Sequence, residues 1–149
     1  LVDPRLREYS IYTATVEKWT QILTLAQRWT FPAVERLCAR ELNKLQIPAV
    51  EKIQLYQDFK LDKSMLGVSF AELTIRPGPV SDEEGHKLGM ETALQIMRAR
   101  ESSGGLYTRS RLSATQLKDS VLPSLIREIF SVDLDDADFD TLVGDPSIL

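Results

Sequence analysis

The sequence predicts an all-α protein of antiparallel helical hairpins, with an additional C-terminal amphipathic helix and an acidic tail. Three observations carry this. Apolar residues recur at three- and four-residue spacings through most of the chain, the period of one helix face. Ser81-Asp82-Glu83-Glu84, and Ser113 with Gln116, have the form of capping boxes that open helices. No sustained period-two run, strand-turn-strand signal or solenoid repeat competes with them.

The elements follow in order. Val16, Trp19, Ile22, Leu23, Ala26 and Trp29 share one face of a first helix, with Thr15 as its cap and Glu17 in its first turn. Phe31-Pro32 ends that helix, and Pro32 suits the first position of a second. Val34, Leu37, Cys38, Leu42 and Leu45 form the second stripe. The connection is short, so the two helices should pair as a hairpin. Pro48 opens a third helix, with Val50, Ile53 and Tyr56 apolar, reaching about Phe59. Asp62 can cap a fourth, with Leu66, Phe70 and Leu73 facing inward. Arg76-Pro77-Gly78-Pro79 must be a loop, because two prolines around a glycine cannot continue a helix. The helix opened by Ser81 should stop near Gly89, and Met90, Ala93, Leu94 and Met97 suggest one more, reaching about Arg100.

Ser102-Ser103-Gly104-Gly105 reads as a hinge. Three stretches are therefore expected: a helical domain over 1–101, a linker over 102–112, and the amphipathic helix with its tail over 113–149. Leu117, Val121, Leu122, Leu125, Ile126, Ile129 and Phe130 form a strongly amphipathic segment. Pro123 lies inside it and predicts a kink or two consecutive helices.

Bulk properties exclude several functions. The 149 residues match one domain of ordinary size, and 43% hydrophobic with 27% charged residues is a globular composition. No apolar run approaches the roughly 18 residues of a membrane span. The start, Leu1-Val2-Asp3-Pro4-Arg5, has no basic segment before an apolar one, unlike a signal peptide, and lacks Met, as a fragment or processed piece would. A single cysteine, Cys38, fits a reducing compartment. The net charge of −4 is uneven: residues 131–149 hold six aspartates and no Lys or Arg, while the body is near neutral. Neither half has the charge of a nucleic-acid binder.

Residues 9–101 resemble the end of the BTB/POZ domain and the region after it in a set of basidiomycete fungal BTB proteins. The resemblance is carried by Tyr9-Ser10-Ile11-Tyr12, the run from Trp19-Thr20-Gln21-Ile22-Leu23 to Arg28-Trp29-Thr30-Phe31, Ala39-Arg40-Glu41-Leu42-Asn43-Lys44-Leu45, and Val50-Glu51-Lys52-Ile53-Gln54-Leu55-Tyr56. It ends with Glu84-Gly85-His86-Lys87-Leu88-Gly89-Met90-Glu91-Thr92-Ala93-Leu94 and Arg98-Ala99-Arg100-Glu101. It implies a BTB closing hairpin followed by a BACK-like helical extension. It also implies a non-enzymatic adaptor or scaffold, cytoplasmic or nuclear, whose partners are proteins or a second copy. Ubiquitin-ligase or transcription machinery are the candidates, with neither nucleic acid nor membrane expected. The strands and first helices of a BTB domain would lie upstream of Tyr9, so dimerisation and cullin contact through them are not carried over.

The chemistry-bearing residues point the same way. His86 is the only histidine and has no Cys-x-x-Cys companion, so no zinc site is expected. Cys38 lies on an apolar stripe, where cysteine is usually inert packing. Glu83 and Glu84 complement a helix dipole. No phosphate loop, nucleophile elbow or H-E-x-x-H motif occurs. No catalytic, cofactor or metal residue is therefore assigned, and no cofactor is expected. Arg98, Arg100, Arg109 and Arg111 read as helix C-terminal charge complementarity in preference to a phosphate patch.

The tail Val132–Val143 alternates acids with apolar residues. In composition it is similar to acidic activation segments, which gives the alternative function: transcriptional regulation through the tail. The preferred reading is an acidic solvated terminus, or a tail packed on the body through Phe139 and Leu142. The partner-binding candidates are Leu125, Ile129 and Phe130 on the amphipathic segment, with Phe139 and Leu142 on the tail.

Overall fold

The computed structural model describes the backbone of residues 4–103 and 113–144, and side chains within that span from residue 15 onward. Every regular element among the described residues is helical. The chain divides into two compact units, 1–46 and 47–149.

The first unit is a hairpin of α1 (Pro4–Arg28) and α2 (Pro32–Lys44), which pack on each other. Thr15 therefore lies inside α1, and the expected cap at that position does not form. The bend is a Schellman closure. Thr30 takes a left-handed conformation (φ 57°), and the Phe31 amide donates to the Ala26 carbonyl at 2.8 Å. Pro32 then starts α2. Leu23 and Ala26 of α1 and Cys38 and Leu42 of α2 are buried. The predicted stripes extend further than this core. Trp29 was expected on the inner face but is 63% exposed, and Leu37 is exposed too. The physical reason for Trp29 is its place in the closing bend, where the left-handed residue after it turns the chain away.

The second unit holds α3 (Ala49–Asp58), a 3-10 turn (Lys63–Leu66), α4 (Gly67–Ile75), α5 (Asp82–Leu88), α6 (Met90–Ser102), α7 (Ala114–Lys118), α8 (Leu122–Phe130) and α9 (Asp136–Gly144). Pro48 precedes α3, and Asp62 caps the 3-10 turn by accepting from the Ser64 amide at 3.0 Å. Both capping boxes form, at Ser81/Glu84 and Ser113/Gln116. Gly89 takes φ 85° between α5 and α6, a conformation that favours glycine. Pro123 sits in the first turn of α8, so the amphipathic segment is two helices and not one kinked helix.

The centre of this unit is α4. Ser69, Phe70, Ala71, Leu73, Thr74 and Ile75 are all buried, as expected of a helix apolar nearly all round. It packs on α3, α6, α8 and α9. The Phe70 and Phe130 rings stack 4.2 Å apart at 9°, joining α4 to α8. Chain segment 132–134 runs so close to the start of α4 that a Cβ on Gly67 would meet Leu134 Cδ2 at 2.9 Å.

The hinge, the division of the chain and the buried face of α6 each differ from the sequence pattern. Ser102 closes α6, Ser103 is buried with its hydroxyl donating to the Arg100 carbonyl at 2.6 Å, and 104–112 lie outside the described residues. The division between units falls after Gln46, whereas α7, α8 and α9 share one core with α3 to α6. Met90, Ala93, Leu94 and Met97 lie on α6 as the sequence suggests, but its buried face is Thr92, Ile96, Ala99 and Arg100, while Met90, Leu94 and Met97 stand exposed and Ala93 is partly buried.

Candidate interaction surfaces

The predicted contact residues are mostly core. Phe130, Phe139 and Leu142 are buried, and Ile129 packs partly buried against the same cluster. Leu125 alone is half-exposed without belonging to that cluster. The amphipathic segment thus gives Leu117, Leu122, Ile126 and Phe130 to the interior.

The acids of the tail have local structural roles. At the start of α9, the Asp138 amide donates to the Asp135 carboxylate and the Asp135 amide donates to the Asp138 carboxylate, both at 2.9 Å. This is a reciprocal cap made by two aspartates. Burial raises the pKa of Asp138, opposed by the hydrogen bond from the Asp135 amide and helped by the Asp135 carboxylate. Asp133 pairs with Arg127, and Asp136 pairs with Lys118. Alternation of acid and apolar residues here is the signature of a short capped helix with Phe139 and Leu142 turned inward. To act as a disordered activation segment, it would have to release both side chains from the core.

Arg100 serves as charge complementarity at a helix C-terminus, but the helix is α4 and not its own. Its guanidinium donates to the carbonyls of Leu73 (2.9 Å) and Arg76 (2.8 Å). These are among the carbonyls that a helix end leaves unpaired. Next to it, Arg76 donates to both oxygens of Glu84 (2.9 and 2.7 Å) and to the carbonyls of Gly78 and Pro79. The proline-rich loop is held by two arginines. Arg98 is exposed, and Arg109 and Arg111 lie outside the described residues.

Among the described residues, Cys38 and His86 lie on separate elements. Burial pushes the Cys38 thiol up, with Glu35 opposing ionisation further, so a thiolate is disfavoured there. His86 is exposed on α5. Among the described residues no three His, Cys, Asp or Glu are placed to hold a metal ion. None of the described helices is long and apolar enough to cross a membrane.

Among the described residues, Met65 and Val121 are exposed singly, and the other exposed large apolar side chains fall in two groups. Leu25, Trp29, Phe31 and Leu37 surround the α1–α2 bend, with exposed Arg28 and Arg36 among them. Met90, Leu94 and Met97 line the outer face of α6. Sequence periodicity cannot separate such a face from a core face, because both are apolar at helical spacing. The usable signal was the inner residues of α6: Ile96 and Ala99 already form a second apolar stripe with Thr92.

These features define an all-helical class, and among the described residues its exposed apolar patches are what stand out on the surface. No protein-family model matches the chain, and neither the curated proteins nor the solved structures gave a match.

Proposed function

We propose that the chain is a non-enzymatic protein-interaction module, an adaptor or scaffold of the kind that the BTB–BACK resemblance implies. The observation that carries this is the exposed aromatic pair at the hairpin bend, Trp29 at 63% and Phe31 at 52%. Tryptophan and other aromatics are the residues on which protein interfaces concentrate their binding energy. Leu25 lies one turn before Trp29 on α1, and Leu37 about a turn and a half into α2. Arg28 and Arg36 give this patch a basic rim, so a matching partner is apolar with acidic residues around it. Ubiquitin-ligase and transcription components, in the cytoplasm or nucleus, are the partner classes to test first.

The test is affinity capture with two full-length baits, the unchanged chain and Trp29→Asp/Phe31→Asp, followed by reconstitution with the purified partner. The proposal expects a partner whose direct binding weakens at least about tenfold in the double variant, as for a truncated hot spot. A partner held equally by both baits, or none held by either, would overturn it.

A further inference from the structure

We propose that α6 is a self-association face on which a second copy of this chain docks antiparallel about a two-fold axis. The inference deepens the interaction reading by naming a partner, and it uses a different surface.

The argument begins with the two faces of α6. Thr92, Ile96, Ala99 and Arg100 are buried, and Met90, Leu94 and Met97 form a separate stripe on the outward side at i, i+4 and i+7. Those three are 79%, 45% and 51% exposed. A continuous apolar stripe of this sort on a folded surface marks a contact site. Methionine in it supplies adaptable apolar contact.

The occupant follows from the charges beside the stripe. Glu91 and Arg98 are both exposed and sit on the same flank, each one residue after a methionine. Among the described residues neither makes an ion pair. The stripe spans about 10 Å along the axis and is centred near Leu94. The midpoint of Glu91 and Arg98 falls within about 1.5 Å of that centre. A two-fold axis that places Leu94 against Leu94 of the other copy therefore sets Met90 near the second Met97. It also sets Glu91 opposite Arg98 of the other copy, twice over. This is an isologous, self-complementary arrangement. It matches the way flanking charges fix orientation in paired helices. In a parallel pair the two-fold axis runs along the helices and puts the charged flanks on opposite sides of the seam, so Glu91 and Arg98 would lose this pairing.

The test is sedimentation equilibrium of the full chain over a wide concentration range. Wild type should rise from the mass of one chain, 16.9 kDa, toward twice that value. Leu94→Asp should stay at one chain with its far-ultraviolet circular dichroism unchanged. Glu91→Arg alone and Arg98→Glu alone should each weaken association about tenfold, because two attractive contacts become repulsive. An equimolar mixture of those two variants should regain it, since each repulsive charge then meets its opposite. Both charge positions are exposed, so they keep the test open if Leu94→Asp does not fold. A one-chain mass for wild type up to about 1 mM, a dissociation constant weaker than specific dimers show, overturns the inference. So does association indifferent to Leu94→Asp, or a mixture no tighter than the single variants. A monomer that still captures its partner through the hairpin bend would sink this inference alone. A dimer that captures nothing would sink only the adaptor reading.

Discussion

Tyr56 is 2% exposed, and its hydroxyl is the one buried side-chain polar atom without a hydrogen-bond partner among the described residues. Burial, with Asp62 nearby, pushes its phenol up. The Lys52 ammonium lies 5.9 Å from the ring centroid, an attraction to the ring face that does not satisfy the hydroxyl. A buried unsatisfied hydroxyl costs about 1–3 kcal/mol. Tyr56→Phe keeps the ring and removes the orphan, so it should raise unfolding stability by about 1 kcal/mol. A urea midpoint that falls would show that the hydroxyl is paired after all. Lys60 offers a second case. It takes φ 52° at the end of α3, where the Leu61 amide closes onto the Tyr56 carbonyl at 2.9 Å. A side chain in that conformation costs roughly 1 kcal/mol relative to glycine. Lys60→Gly should therefore stabilise by somewhat less than that, once the added freedom of the unfolded glycine is counted, and a lowered melting temperature would contradict it. Thr30, Lys60 and Ser131 all close helices this way without a glycine. At Lys60 and Ser131 the composition therefore carried no glycine stop signal, whereas Pro32 marked the end that Thr30 closes.

Element by element, most start signals were legible: Ser81, Ser113, Pro32 and Pro48 open helices where the sequence placed them, whereas Asp62 caps the 3-10 turn before α4 and Thr15 lies inside α1. What was not legible was the choice between two apolar faces of one helix, as in α6, because that depends on which face a distant segment covers. The contacts of Arg76 and Arg100 across the 76–79 loop were equally hidden, since both arise from tertiary proximity. The Arg76 pair leads to a pH prediction. It holds the Glu84 carboxyl at about 2, down from 4.5, chiefly through the Arg76 hydrogen bonds and opposed by some burial. A depressed carboxyl stabilises the fold fully above pH 4.5, and that stabilisation is lost as pH falls toward 2. The pair is about one-quarter exposed, so screening reduces its worth to roughly 1–2 kcal/mol. Glu84→Gln should lose that amount at pH 7 and almost nothing near pH 2. Equal destabilisation at both pH values, read from urea curves, would place the effect in the capping box alone.

At the scale of the whole chain, the tail decides how the second unit is closed. Val132, Phe139 and Leu142 belong to the same cluster as Ile53, Phe70, Leu73 and Ile96. Their sequence looked like a solvated acidic segment because aspartates are interleaved with the apolar residues there. Four of those aspartates, however, act as caps or surface pairs, while Val132, Phe139 and Leu142 are buried. Burial of a ring and a leucine by a nine-residue helix can hold that helix only through tertiary contact, since so short a helix is marginal alone. Phe139→Ala should accordingly cost about 3–5 kcal/mol and Leu142→Ala about 2–5 kcal/mol. Deletion of 131–149 would expose α4 along the side where 132–134 cover Gly67. That deletion should remove cooperative unfolding of the second unit, seen as loss of slow amide exchange in α4. Asp140→Asn, on the exposed side of the same helix, should change stability by no more than about 0.5 kcal/mol. If Phe139→Ala were equally silent, and α4 amides stayed protected without the tail, α9 would be an appendage and its aromatic would be free for a partner. The close approach of Leu134 to Gly67 makes a further check: Gly67→Ala sets a methyl against the end of the Leu134 side chain, which must turn aside, and so should destabilise by no more than about 1 kcal/mol and only while the tail is present.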